Sequence, residues 1–220
     1  MYPQSFDHND TVADEYNSSA AFIANKGGIK MSAMVYLAYA NDPNASEEQK
    51  KKEKEYKKYI DEHIDNVHKA WEFMKRNKKV MDYIAKISGV NISFTISALN
   101  SQIKSHDMSK FSLDEWEPYR MHHHPTNEQE KIDSQADYEK AWEHHYTNNL
   151  HHWNWWAYNK QEDKMPLNYV IEMCCDWIAM SMKFGGDAYH WYLDQKDIVL
   201  GTKQDEWLTN ILTLYYGISK

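Results

Sequence analysis

Two cysteines, seven glycines, five prolines and only two arginines among 220 residues rule out several kinds of protein. Cys174 and Cys175 are neighbours inside an apolar run, so they read as small core residues and not as a disulfide framework. A reducing cytoplasm is the simplest compartment for such a chain. Few glycines and prolines, with little period-two alternation, make strands hard to place and indicate an all-α protein. The arginines, Arg76 and Arg120, belong to a set of 25 basic residues facing 33 acidic ones, for a net charge of −8. That balance argues against a surface built to grip duplex nucleic acid. A small anionic substrate stays compatible with it, because a bound metal makes a locally positive pocket in an acidic protein. No run of eighteen apolar residues occurs, and the first residues lack a basic stretch followed by an apolar one, so neither a membrane span nor an export signal is expected.

No Pro/Gly/Ser-rich linker divides the chain, which predicts one compact domain: a helical extension over 1–45 and a helical bundle over 46–220. The extension includes Met31 to Tyr39, ended by Asn41-Asp42-Pro43. Ser46 caps a long helix whose inner face is Tyr56, Ile60, His63, Val67, Ala70, Trp71 and Met74, and whose Lys/Glu run over 47–58 reads as a solvated face. Residues 91 to 107 form another helix. Ser112 with Glu115 resembles a capping box for the next, and His122-His123-His124 before Pro125 reads as a solvated loop. A helix from about Ser134 carries Tyr138, Trp142 and His145, and is broken at Asn148-Asn149. Pro166 opens a nearly all-apolar helix, Leu167 to Phe184, which Gly185-Gly186 stop.

What the chain does have is histidine: twelve, mostly at 122–124, 144–145 and 151–152. His106 extends the apolar stripe Ile92, Ile96, Leu99 and Ile103, and Asp107 follows it. Burying that pair is costly unless something satisfies both groups. His63, His106-Asp107, the histidines of 144–152 and Asp176 each place a ligand-type side chain on a face that should be buried. A single buried histidine is more often bonded to a backbone carbonyl, but four such segments together form a metal-ligand inventory. Nitrogen and oxygen donors without thiolate suit one or two divalent ions: iron, manganese, zinc, cobalt or nickel. Among the later histidines the expected ligands are His145 with one or both of His151 and His152, with His144 at the surface. Glu172, four residues before Asp176, is a ligand or orients one. Lys110 and Arg120 are candidates to hold phosphate oxygens. The nine tryptophans fill the core or stack on a base.

With His63 first, His106-Asp107 second and Asp176 on a later helix, the order resembles that of the HD-domain superfamily of metal-dependent phosphohydrolases. His106, Asp107 and Lys110 match its His-Asp-x-x-Lys variant, and His145 with His151 or His152 stand for the extra histidines of binuclear members. More closely, the chain is similar to an uncharacterised HD-like family of bacteria and tailed phages. The shared text is His106-Asp-Met-Ser-Lys-Phe-Ser, the His144 to Trp156 segment, and Met165-Pro-Leu through Asp176.

The resemblance implies an HD-like bundle hydrolysing a phosphate ester or anhydride, most simply a nucleotide. In that scheme Asp107 bridges the ions and Lys110 and Arg120 position the substrate. Two other classes stay open: a di-iron oxygenase of a small molecule, and a non-catalytic protein that binds a nucleotide signal. The sequence does not fix the oligomeric state, and a homo-oligomer is compatible with it.

Overall fold

The computed structural model describes residues 35–219, and every regular element among them is helical. After a short helix over 35–40 (α1) come α2 (Glu47–Arg76), α3 (Lys78–Ile87) and α4 (Ile92–Lys104). Next are α5 (Trp116–His123), α6 (Glu128–Asp133), α7 (Gln135–Asn148) and α8 (Trp153–Tyr158). The chain closes with α9 (Leu167–Phe184), α10 (Ala188–Asp194) and α11 (Thr202–Tyr216), and 3₁₀ turns lie at Met108–Phe111 and Glu162–Lys164. The all-α expectation holds. Most of the expected 1–45 extension, including Met31 to Met34, lies outside the described residues, and Val35, Tyr36 and Tyr39 pack against the domain.

Helix α2 starts where the sequence says it should. The Ser46 side chain accepts from the Gln49 amide while the Gln49 side chain accepts from the Ser46 amide, which satisfies two otherwise orphaned donors. Its 30 residues give a rod of about 45 Å at about 1.5 Å per residue. The predicted stripe is buried along its length, from Tyr56 to Met74. Pro166 and Gly185 likewise bound α9 as expected, with Gly185 at φ 86°, a conformation that favours glycine.

Helices α2 and α9 form the axis of the bundle, with α11 and α3 closing one side. Two apolar clusters result. The larger gathers Val67, Trp71 and Met74 of α2 with Val170, Ile171, Met173, Cys174 and Cys175 of α9 and with Leu208 and Ile211 of α11. The smaller gathers Tyr56 and Ile60 with Phe111, Trp116, Tyr119 and Ala141. On α2, Ile60 belongs to the smaller cluster and Val67 to the larger, and His63 lies between them. The polar seam between the two clusters is where the ligand-type side chains meet.

Three local expectations need correction. Helix α4 ends at Lys104, so His106 and Asp107 follow the helix instead of riding on it, and Asp107 adopts a left-handed backbone (φ 54°, ψ 20°). Aspartate tolerates that region better than most residues. Ser112 and Glu115 do not form a capping box, since Glu115 is itself the residue before α5 and makes no cap bond there. His122 and His123 belong to the last turn of α5 and are not in a loop; the His122 ring stacks on Tyr138 at 3.7 Å between centroids.

Candidate metal centre

Seven side chains from five segments converge on the seam. His63 comes from the middle of α2, His106 and Asp107 from the link after α4, and His145 from the last turn of α7. His151 and His152 come from the turn before α8, and Asp176 from the middle of α9. That turn is held by Asn149, whose amide donates to the His145 carbonyl at 2.8 Å and to Ser109 Oγ at 2.6 Å. The break expected at the asparagines is what swings His151 and His152 back beside His145.

The donor atoms fall into two sets. In the first, His63 Nε2 lies 3.2 Å from Asp176 Oδ1, 3.3 Å from His106 Nε2 and 3.5 Å from Asp107 Oδ2, with His106 Nε2 3.6 Å from Asp107 Oδ2. Atoms bound about 2.0–2.1 Å from one ion stand about 3–3.5 Å from one another, so these separations are those of neighbouring ligands. In the second set, Asp107 Oδ1 lies 3.4 Å from His145 Nε2 and 3.5 Å from His151 Nε2, and His152 also has a ring nitrogen within 4.8 Å of both Asp107 and His145. Asp107 presents one carboxylate oxygen to each set. The buried atoms Asp107 Oδ1 and Nε2 of His145, His151 and His152 have no hydrogen-bond partner. Four such atoms facing one another are expensive to bury empty and are chemically suited to a cation.

Outer carboxylates aim the imidazoles. Glu172 Oε1 lies 2.9 Å from His106 Nδ1 and 3.4 Å from His151 Nδ1, so both rings present Nε2 to the seam. Gln102 holds the other Glu172 oxygen, and the Asn168 amide donates to Gln102 Oε1 at 2.7 Å. Glu115, wholly buried, accepts from His145 Nδ1 and His144 Nδ1, both at 2.7 Å. Of the two roles its spacing left open, ligand or orienting residue, Glu172 is placed against the Nδ1 atoms of His106 and His151, on the side away from the donor sets. Glu115 was not anticipated in this role, and His144, partly exposed as its surface assignment implied, is tied to it.

The charges are strongly coupled. Burial would raise the Asp107 carboxyl, but His106, Lys110 and His145 hold it well below the usual range. Asp176 is likewise lowered against the effect of burial, chiefly by His63. Burial opposes the charged form of His151, yet Glu172, Asp107 and Asp176 push it up to about 9. His106 is lowered by burial, and Glu172 is brought down to about 2 because His151 and His106 outweigh its burial. Lys110 Nζ donates to Asp107 Oδ2 at 2.6 Å, and its ammonium is stabilised by Asp107 despite burial.

A cavity of about 580 Å³ opens over this floor, reached by His63, Asp107, Lys110, His145, His152 and Asp176. Arg120 does not reach it. Its guanidinium is 3% exposed, paired in a fork with both Glu130 oxygens at 2.9 Å and lying 3.0 Å from Glu53 Oε1. The substrate role expected for Arg120 is therefore replaced by a structural one, joining α2, α5 and α6. Glu53, placed on the solvated face by its lysine-rich surroundings, is buried and also accepts from Trp116 Nε1 at 2.5 Å. Its spacing of three and seven residues from Tyr56 and Ile60 was the available signal.

Among the described residues no helix is long and apolar enough to cross a membrane. Residues 52–214 match the model of one protein family, described as a family of unknown function (DUF5662). No curated protein and no solved structure matches the chain.

Proposed function

The chain belongs to DUF5662, a family of unknown function, and from the site it carries we propose that it is a metal-dependent phosphohydrolase acting on a nucleotide or a related phosphate ester or anhydride. The observation that carries this reading is the pair of donor sets sharing Asp107, one of them with four unpartnered buried atoms, at the base of a cavity that also receives Lys110. His63, His106, Asp107 Oδ2 and Asp176 would hold one ion, and Asp107 Oδ1, His145, His151 and His152 a second. Donors of nitrogen and oxygen without thiolate suit manganese, iron, cobalt, nickel or zinc. Such ions supply water of lowered pKa and neutralise phosphoryl oxygens.

The chain's own groups do the rest. Asp107, with one carboxylate oxygen in each set, would hold both ions and fix the spacing between them. Lys110 uses one ammonium hydrogen on Asp107 Oδ2, which leaves two directed donors for a phosphoryl oxygen at the cavity floor. Glu172 and Glu115 keep the imidazoles in the orientation that presents Nε2.

The test is phosphate release from mono-, tri- and cyclic nucleotides by protein loaded with Mn, Fe, Co, Ni or Zn, beside a His145→Ala control. Turnover that is lost in the control supports the reading, and no turnover with any of the metals overturns it. Two donor sets about one carboxylate also suit a di-iron oxygenase of a small molecule. Oxygen uptake by the iron-loaded protein without phosphate release would put that reading in its place.

A further inference from the structure

The floor of the cavity is polar, but its walls are aromatic. Tyr59, Tyr138, Trp142, Trp153, Trp177 and Trp191 all line it. Trp142 is committed to the cluster, its ring stacked on His145 at 5.8 Å between centroids. Trp191 is not committed in this way: it is 46% exposed and meets Trp177 edge-on at 5.1 Å. Phe184, 68% exposed, lines the same cavity. Large rings left open to water at a cavity mouth are a stacking surface in search of a flat apolar partner.

The charged groups along the cavity narrow the partner further. Lys110 is the one lysine among the described residues that line it, no arginine does, and Asp197 adds a carboxylate beyond those of the floor. A phosphoryl group at the floor would meet Lys110 and the donor sets. A second or third phosphate would find no further lysine and no arginine among the described residues that line the cavity. Asn154 lines the same space with a side-chain amide, and Gln195, whose amide donates to the Trp191 carbonyl at 3.0 Å, keeps its carbonyl oxygen as an acceptor. A heteroaromatic edge would use both, whereas a quaternary ammonium head would leave the Asn154 donors unused. The cavity, at about 580 Å³, is of small-molecule size.

We propose that this cavity selects a nucleoside monophosphate, a ligand with one phosphoryl group and one planar base, over nucleoside triphosphates and over phosphate esters without an aromatic ring. The placement of the phosphoryl group at the cluster rests on the phosphohydrolase reading, and the choice of the body attached to it rests on the walls.

Equilibrium binding tests it, by calorimetry and by quenching of tryptophan fluorescence, on the protein as purified. The probes are the four ribonucleoside 5′-monophosphates, their triphosphates, ribose 5-phosphate and phosphocholine. At least one monophosphate should bind about tenfold or more tightly than its triphosphate, ribose 5-phosphate and phosphocholine, the scale expected for one base stacked on an aromatic ring. Trp191→Ala should weaken that binding by about tenfold while leaving ribose 5-phosphate unchanged, and Trp191→Tyr, which keeps a stacking face, should restore most of it. Because Trp191 is half exposed, the fold should survive either change. Ribose 5-phosphate binding as tightly as every nucleotide, a triphosphate binding more tightly than its monophosphate, phosphocholine exceeding all of them, or no binding of any probe overturns the proposal. A monophosphate that binds in this pattern but releases no phosphate with any metal supports the selectivity and overturns the hydrolase reading alone.

Discussion

His145 Nδ1 lies 2.7 Å from a wholly buried Glu115 oxygen, and this bond turns the opposite ring nitrogen toward Asp107 Oδ1, 3.4 Å away. The imidazole is held from behind before any ion is present. The same logic joins Glu172 to His106 and His151.

Glu115→Ala should therefore weaken binding at the His145 set while the His63 set keeps its donors. The expected loss is about 10- to 100-fold in affinity for one ion of a pair, the usual scale for removing an outer carboxylate. Metal titration followed by calorimetry, with stoichiometry by elemental analysis, reads it. Equal weakening of both sets would show that Glu115 acts on the fold and not on His145.

Asp107 is held in a left-handed backbone, and that shapes how its removal should be read. Asp107→Asn and Asp107→Ala should both abolish binding of two ions. Alanine should cost about 1 kcal/mol more in unfolding free energy than asparagine, because asparagine tolerates that conformation and alanine does not. Urea denaturation of both variants in a chelator separates the backbone effect from the lost ligand.

Arg120→Ala should unfold the domain more readily by about 3–5 kcal/mol, since it strands the buried Glu53 and the Glu130 carboxylate. Once folded, the variant should keep the wild-type KM for whatever phosphate ester is turned over. Unchanged stability with a raised KM would return Arg120 to the substrate.

The metal-free chain should be most stable near pH 6.5. Above that value, the unfolded chain loses the His151 proton while the folded one keeps it to about pH 9, so stability declines from 6.5 to 9. Below it, His106 works the other way, because its folded pKa lies under 6.5 and the unfolded chain takes up the proton first. Glu172 adds a further loss from 4.5 down to about 2. Thermal melts across pH with chelator test this. With metal bound, the decline between 6.5 and 9 should shrink, because the ion displaces the His151 proton while His144, raised by its bond to Glu115, keeps its share.

Much of this arrangement was legible along the chain, for reasons that differ by residue. Helix α9 was readable because Pro166 and Gly185 bracket an apolar run, and α2 because a cap and a stripe agree about where it starts and which way it faces. His63, His106, Asp107 and Asp176 stood out as ligand types at apolar positions, and the structure brings them to one seam. Glu115 and Arg120 were misread because their partners are distant in sequence. Ser112 and Glu115 have the spacing of a capping box, and nothing local shows that the carboxylate turns to His144 and His145 on α7. The fork of Arg120 is filled by Glu130 with Glu53 beside it, and the lysines around Glu53 hid its place on the inner face of α2. Local pattern reports which face is buried. It does not report which charges meet across the seam.

That seam lies between the two apolar clusters, and if it holds ions as proposed, its position gives metal supply a second meaning. Without an ion, buried donor atoms from α2, α9 and the segments between them face one another at the middle of the bundle, four of them with no hydrogen-bond partner. An ion that binds only the folded chain removes the open forms by mass action. A cell's proteases act on those open forms. The abundance of the protein in a cell would then follow the availability of the ion, with starved cells clearing the chain before it could act.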